Sequence, residues 1–269
     1  MFKERLMKTS IRIAGVVAGL ALLGAPSAQA GITNSFHDLS YDSTSASSAD
    51  LNASGSSREL CAFCHTPHAA NTAFSGAPIW NKATPSGAFT LYGDTVALTA
   101  TEATVQSQSM ACLSCHDGVS AINSIVNAPG SGGLTDGTDF TVTGDMWANT
   151  ALDSDGFTMA DLNASSYGSA ATGVRIIGTD LTNDHPVSIQ YLGDGTATSP
   201  ASLKDPSAAL VGWKTPSGTL NIDAVLKDNG LANKTVECGT CHDPHFTDNG
   251  RFLRASNDQS ALCISCHEK

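Results

Sequence analysis

Cys61-Ala62-Phe63-Cys64-His65-Thr66-Pro67-His68 is the stretch from which the rest of the chain can be read. Its first five residues are C-x-x-C-H, the attachment signature of a c-type haem. The two thiols bind the haem covalently, and the adjacent imidazole takes one axial position on the iron. The pattern recurs as Cys112–His116 (CLSCH), Cys238–His242 (CGTCH) and Cys263–His267 (CISCH). Together the copies use all 8 cysteines of the chain: Cys61, Cys64, Cys112, Cys115, Cys238, Cys241, Cys263 and Cys266. A lone C-x-x-C fits a zinc site or a redox dithiol equally well. Here every pair is followed directly by His, and a Cys₄ zinc site has no use for that residue. The expectation is four covalently bound c-type haems, with His65, His116, His242 and His267 as proximal ligands and no disulfides.

The chain has 8 histidines, so the motifs leave His37, His68, His185 and His245. Four irons need four distal ligands, and the match predicts bis-histidine, six-coordinate, low-spin iron throughout. Methionine is the rival distal ligand, but Met110, Met146 and Met159 stand in no repeated context. The ligands also repeat in order. An isolated His, a motif with a Pro-His tail and a plain motif occur as His37, Cys61–His68 and Cys112–His116, then as His185, Cys238–His245 and Cys263–His267. This order reads as two di-haem modules from a duplication. Axial ligands lie on opposite faces of a porphyrin, with Cα atoms about 12 Å apart, whereas three residues reach at most about 10.5 Å. His68 is therefore not expected to share an iron with His65, nor His245 with His242. The expected pairs are His68 with His116, His245 with His267, His37 with His65 and His185 with His242. His37 could instead cross to a neighbouring subunit.

Residues 1–30 read as a secretory signal. Lys3, Arg5, Lys8 and Arg12 form a basic start, Ile13–Leu23 a short apolar run, and Ala28-Gln29-Ala30 a cleavage site before Gly31. The run is too short for a spanning helix, which needs about 20 apolar residues. No Cys lies near the cut, so no lipid anchor is expected, and no later stretch suggests an integral membrane segment in the mature chain. Export fits a motif whose haem is attached outside the cytoplasm. The signal takes four of the 14 basic residues and one of the 25 acidic ones, which leaves 10 against 24 and a formal charge of −14. Such acidity disfavours nucleic acid and anionic lipid and suits basic or metal-cation partners, or serves solubility alone.

Aromatics are only 6% of the chain. A chain so poor in large apolar side chains has difficulty offsetting its conformational entropy by a core of its own. The expected fold is mostly irregular and loop-rich, with short α-helices and few short strands, wrapped around a chain of four haems. The organisation expected is a signal at 1–30, an N-terminal arm carrying His37 at 31–60 and a first di-haem module at 61–127. A Gly/Asp/Thr-rich middle insert at 128–184 and a second module at 185–269 follow. Helices are expected over Thr99–Ser109, from Cys112 through Ile125, and over Asp223–Leu231. Short strands are expected at Phe140–Val142 and Arg175–Ile177. Trp80 and Tyr92 are candidate haem-packing aromatics. Asp153-Ser154-Asp155-Gly156 hints at a calcium loop, but Ala151 and Leu162 stand where an EF-hand needs its end ligands, so a surface turn is the simpler reading.

A ligand count that closes every iron face leaves no substrate position, which points to an electron-transfer protein rather than an enzyme. Two axial imidazoles favour a lower potential than His with Met. E-L-C-x-F-C-H-T-P-H, F-H-D-L-S around His37, P-I-W-N at Pro78–Asn81, C-L-S-C-H-D-G at Cys112–Gly118 and D-H-P-V-S at Asp184–Ser188 carry a resemblance. Through them the chain resembles the tetrahaem c-type cytochromes of metal-reducing bacteria, some of which polymerise outside the cell as cytochrome nanowires. In those members an axial His of one subunit caps a haem of the next, and His37 matches that donor by position. The resemblance implies a homopolymer through His37, extracellular electron transfer with other redox proteins as partners, and external acceptors. The alternatives are a discrete periplasmic tetrahaem shuttle and a haem-containing reductase in which one distal His does not bind iron.

Overall fold

The computed structural model describes residues 31–39, 60–74, 76–85, 87–120, 125–127, 176–194, 202–215, 218 and 220–268. Contacts divide the chain into Met1–Ala30 and Gly31–Lys269, and every described residue lies in the second unit. The signal, the arm beyond Leu39, the strand expected at Phe140–Val142, the Asp153–Gly156 loop, Met146 and Met159 fall outside the described residues.

Regular structure is sparse. Among the described residues the longest element is helix α1, Ser107–His116. Its sequence, SQSMACLSCH, contains no Gly, Pro or β-branched residue to oppose a helix. It begins later than expected. Residues 101–103 are drawn out instead, because Gln190 donates its N–H to the Thr101 carbonyl (3.0 Å) and Ala103 donates to that of Ser188 (3.0 Å). Their backbone groups serve a sheet edge and are not available to a helical turn. Helix α1 also ends earlier than expected. Asp117 accepts the N–H groups of Val119 and Ser120 (2.9 and 2.7 Å), and Gly118 takes φ +74°. That left-handed position costs glycine little.

Strands β1 (Ile189–Gln190) and β2 (Thr235–Val236) pair antiparallel, with Ile189 opposite Val236 and Gln190 opposite Thr235. Helix α2 is the single turn Cys238–Cys241, directly after β2, and α3 is Ala261–Ile264. Both carry a haem motif. The helix expected over Asp223–Leu231 is shorter, a 3₁₀ turn at Ile222–Ala224 with its start capped by the Asn221 side chain on Ala224 N–H (3.0 Å). Lys227 then pairs with Thr235 as an antiparallel bridge, which stops the turn. Ile177 and Gly178 form no strand. Both donate to the His116 carbonyl (2.9 and 3.1 Å) and so satisfy the end of α1.

The largest apolar cluster gathers Tyr191, Leu210, Trp213, Ile222, Val225, Leu226 and Ala255. It sits beneath the last two motifs, with Leu262 and Cys266 packed on its edge. Smaller clusters surround Phe63, Phe74 with Ala111, and Val105 with Leu113 and Leu181. The halves are not separate bodies, because α1 of the first packs on α2 of the second. Ile222 is fully buried in the main cluster. Its replacement by Ala is expected to cost about 2–5 kcal/mol. Denaturant unfolding of the haem-loaded protein should show that loss, whereas exposed Val211→Ala should leave the midpoint unchanged.

Candidate functional site

An imidazole can ligate iron through Nε2 only when that nitrogen holds a lone pair, so its proton must sit on Nδ1. The structure arranges this at four of the eight histidines. His65 Nδ1 faces the Pro78 carbonyl (3.0 Å), His242 Nδ1 that of Arg251 (2.9 Å), and His185 Nδ1 that of Pro186 (3.0 Å). A carbonyl only accepts, so in each case Nδ1–H is the donor and Nε2 is left free. His245 Nδ1 donates to the Asp243 carboxylate (2.8 Å). Such partners orient an axial ring and raise its basicity. Burial lowers the His65 imidazolium below its ordinary pKa despite the Pro78 carbonyl. Burial, with His116, His245 and His242 nearby, pushes that of His37 down to about 3. Both rings are therefore neutral near pH 7, the form that binds metal.

Three pairs of these rings face each other. The centroid separations are 6.0 Å for His37 and His116, 6.2 Å for His65 and His245, and 6.4 Å for His185 and His267. Two imidazoles bound trans through metal–nitrogen bonds of about 2.0 Å have ring centres about 6.2 Å apart. All three pairs match that gap, and each joins one motif histidine to one from outside the motifs. Among the described residues no imidazole lies at this spacing from His68 or His242. Both of these are exposed.

The pairs differ from those expected. His37 meets His116 rather than His65, His245 meets His65 rather than His267, and His185 meets His267 rather than His242. The reason is the fold of the arm. Gly31 donates its N–H to the His245 carbonyl (2.7 Å), Ile32 is buried, and His37 stacks on Phe252 at 4.3 Å. The arm's first residues thus dock on the second half, and His37 lies beside His116 and Phe252 of its own chain. His37 Nδ1 is buried with no hydrogen-bond partner.

The local motifs are built for covalent attachment at turns. In the first, His65 N–H bonds to the Cys61 carbonyl (2.8 Å), and in the third, His242 N–H to that of Cys238 (3.0 Å). His267 repeats this with Cys263 (3.0 Å). None of the eight cysteines pairs with another in a disulfide, and Cys112 and Cys238 lie on helices that pack together, α1 on α2. Burial holds Cys64 and Cys241 up at about 12 and Cys266 at about 11. Asn81, fully buried, joins the first motif to residue 127. Its amide donates to the carbonyls of Ala62 (2.7 Å) and Asn127 (3.0 Å). Trp80 lies edge-on to His65 at 5.6 Å and bonds Ser114 Oγ (3.2 Å).

Sequence reasoning missed the groups behind the ligands. Asp243 stands where the first motif has Thr66. Thr66 Oγ1 donates to the His68 carbonyl (2.9 Å), whereas Asp243 grips the His245 ring itself. Burial would raise the Asp243 carboxyl, but bonds from His245 and the Arg254 charge outweigh it and hold the carboxyl below its usual pKa. Arg254 is buried and donates to Asp243 (2.9 Å), to the Gly239 carbonyl (2.9 Å) and to that of Lys214 (3.2 Å). The one legible signal was the change from T-P-H to D-P-H.

The residues fit haem on one further count. Exposed Phe36, Ile79, Ile177 and Ile264 all lie beside motif or axial positions, where a porphyrin would cover them. Burying such side chains is worth about 1.5–3 kcal/mol each. Among the described residues no group of three or more His, Cys, Asp or Glu is arranged to hold a single metal ion. Met110 packs against Phe74, Ala77 and Ala111 and against Val105, Leu113 and Leu181, so its role is apolar contact. No helix among the described residues is long and apolar enough to cross a membrane.

Residues 231–269 match the family described as the doubled CXXCH motif. No curated protein matches the chain. The match supports covalent c-type haem in a multihaem cytochrome, a class that commonly carries electrons and is typically exported. Arg254→Met should cost about 3–5 kcal/mol, because it leaves the Asp243 charge buried and uncompensated. Unfolding of the haem-loaded variant measures that loss, and a new high-spin absorption should accompany it as His245 loses its anchor.

Proposed function

We propose that this multihaem cytochrome is an exported tetrahaem electron conduit that assembles head to tail, with His68 of one copy capping the iron held by His242 of the next. The observation that carries the reading is the arithmetic of the rings. Three facing pairs close within the chain, and the two imidazoles left over are both at the surface. One is a motif histidine and the other comes from outside the motifs, so they are complementary.

Haem at Cys61–His65, Cys112–His116, Cys238–His242 and Cys263–His267 would supply one-electron chemistry between ferric and ferrous iron. The chain's residues do the rest. The residues that would hold the irons are His116 with His37, His65 with His245, His267 with His185, and His242 with His68 of a second copy. Such sets would leave no position for substrate and would suit outer-sphere electron transfer. The carbonyls of Pro78, Arg251 and Pro186 and the Asp243 carboxylate fix ring orientation, so little has to reorganise when charge changes. Pairing His65 with His245 ties the two halves through one iron, which supports a continuous path through the subunit. The charge of −14 beyond the signal suits basic redox partners and metal-cation acceptors outside the cell. Extracellular delivery and polymerisation are one reading here, and a discrete periplasmic shuttle is the result the test would otherwise return.

The test is electron microscopy and absorption spectroscopy of the haem-loaded protein beside His68→Ala and His37→Ala. Wild type should form filaments, and His68→Ala should give single subunits with one high-spin haem in four. His37→Ala should keep its filaments while gaining one high-spin haem. Uniform monomers that are fully low-spin in wild type would overturn head-to-tail ligation in favour of the shuttle.

A further inference from the structure

A fixed negative charge lies between two of the attachment sites. Glu237 directly precedes Cys238 and is 1% exposed. Both carboxylate oxygens are saturated by donors. Oε1 accepts from Thr235 Oγ1 (2.8 Å) and Asn229 Nδ2 (2.9 Å). Oε2 accepts from Ser188 Oγ (3.1 Å) and Ser109 Oγ. Four donors on an acceptor-only group are the surroundings of an ionised carboxylate. Among the described residues Glu237 forms no ion pair, and Lys227 feels its field from beyond that range. The charge is thus screened by dipoles and not cancelled.

Its position is specific. Ser109 lies one helical turn before Cys112 in α1, and the same Ser109 Oγ accepts the Cys238 N–H (3.1 Å). Helix α1, which carries Cys112, packs on α2, which carries Cys238, at that junction. Leu60, Ala111 and Leu262 occupy the corresponding place before the other three motifs, so Glu237 is the only acid there. Side chains from α1 and β2, with those of Ser188 and Asn229 beside them, converge on a charge that an apolar residue could have replaced.

We propose that Glu237 is a positioning residue of electrostatic kind, which holds the potentials of the haems attached at Cys112/Cys115 and Cys238/Cys241 below the values they would otherwise have. The inference rests on the attachment reading above. Adding one electron to a ferric haem adds one negative charge, and a buried carboxylate nearby opposes it. At low dielectric that opposition falls off slowly with distance but is strongest for the nearest groups. The two haems flanking the α1–α2 junction therefore feel it most. In a conduit this makes two adjacent stations lower in potential than the remaining pair, and so shapes the path between donor and acceptor.

The experiment is spectroelectrochemical titration of haem-loaded wild type and Glu237→Gln, with haem content and spin state measured on the same samples. Gln keeps the shape and a carbonyl acceptor, and the hydroxyls of Ser109, Ser188 and Thr235 can rotate to meet its amide. The expected result is a positive shift of two of the four potentials, with four haems retained and the low-spin spectrum unchanged. A purely structural role would not move potentials in this selective way. Unmoved potentials, or four that move together, would overturn the proposal. Should Glu237→Gln fail to load haem, Glu237→Ser, which removes the charge and admits water, is titrated against the same two outcomes. Fewer than four haems in wild type would strike the attachment reading itself, which keeps the two failures apart.

Discussion

Two imidazoles that grip one iron must face each other across a gap of about 6.2 Å, each with its proton turned away. Three ring pairs of the described structure have that spacing. Loops that look irregular hold carbonyls at the backs of rings, as Pro78 does for His65 and Arg251 for His242. The isolated bridges between His65 and Trp80 and between His242 and Leu253 keep those loops in register with the motifs. Two-residue strands and single-turn helices suffice, because they need only to position rings and thiols, not to build a sheet or a bundle.

The constraint also explains how the halves came to interlock. The His65–His245 pair joins a motif of the first half to the Pro-His tail of the second. The arm from Gly31 lies against the same tail and delivers His37 to His116. With α1 packed on α2, neither half holds a complete set of facing rings. The apolar clusters are correspondingly small and dispersed, apart from the one around Trp213 and Ile222. A chain with few large side chains gains from any apolar plate it can wrap, and the exposed Phe36, Ile79, Ile177 and Ile264 stand where one would be met.

Buried charge is used sparingly and to different ends. Asp243 is balanced by Arg254 and acts on the His245 ring, so its effect is directional and local. Glu237 has no ion-paired cation among the described residues and acts through its field. Hydroxyl and amide dipoles lower the cost of burying it but leave its charge in place. The repeated motifs offer equivalent positions, and the second half differs from the first at Thr66 against Asp243 and Leu60 against Glu237.

The covalent chemistry was legible in the residues alone. Thiol spacing and the adjacent His are local, so Cys61–His65 and its three repeats read out without a fold. Partnership was not legible, because it is non-local. Which ring faces which depends on where Gly31–His37 docks and on how α1 meets α2, and both are settled by packing between segments far apart in the chain. The same holds for secondary structure. Residues 101–103 have a helical pattern, yet β1 claims their backbone, and Gly118 ends α1 well before Ile125. Asp243 and Glu237 look like ordinary surface acids in the sequence. Only the fold buries them, and burial turns a solvated charge into one that neighbouring groups must answer.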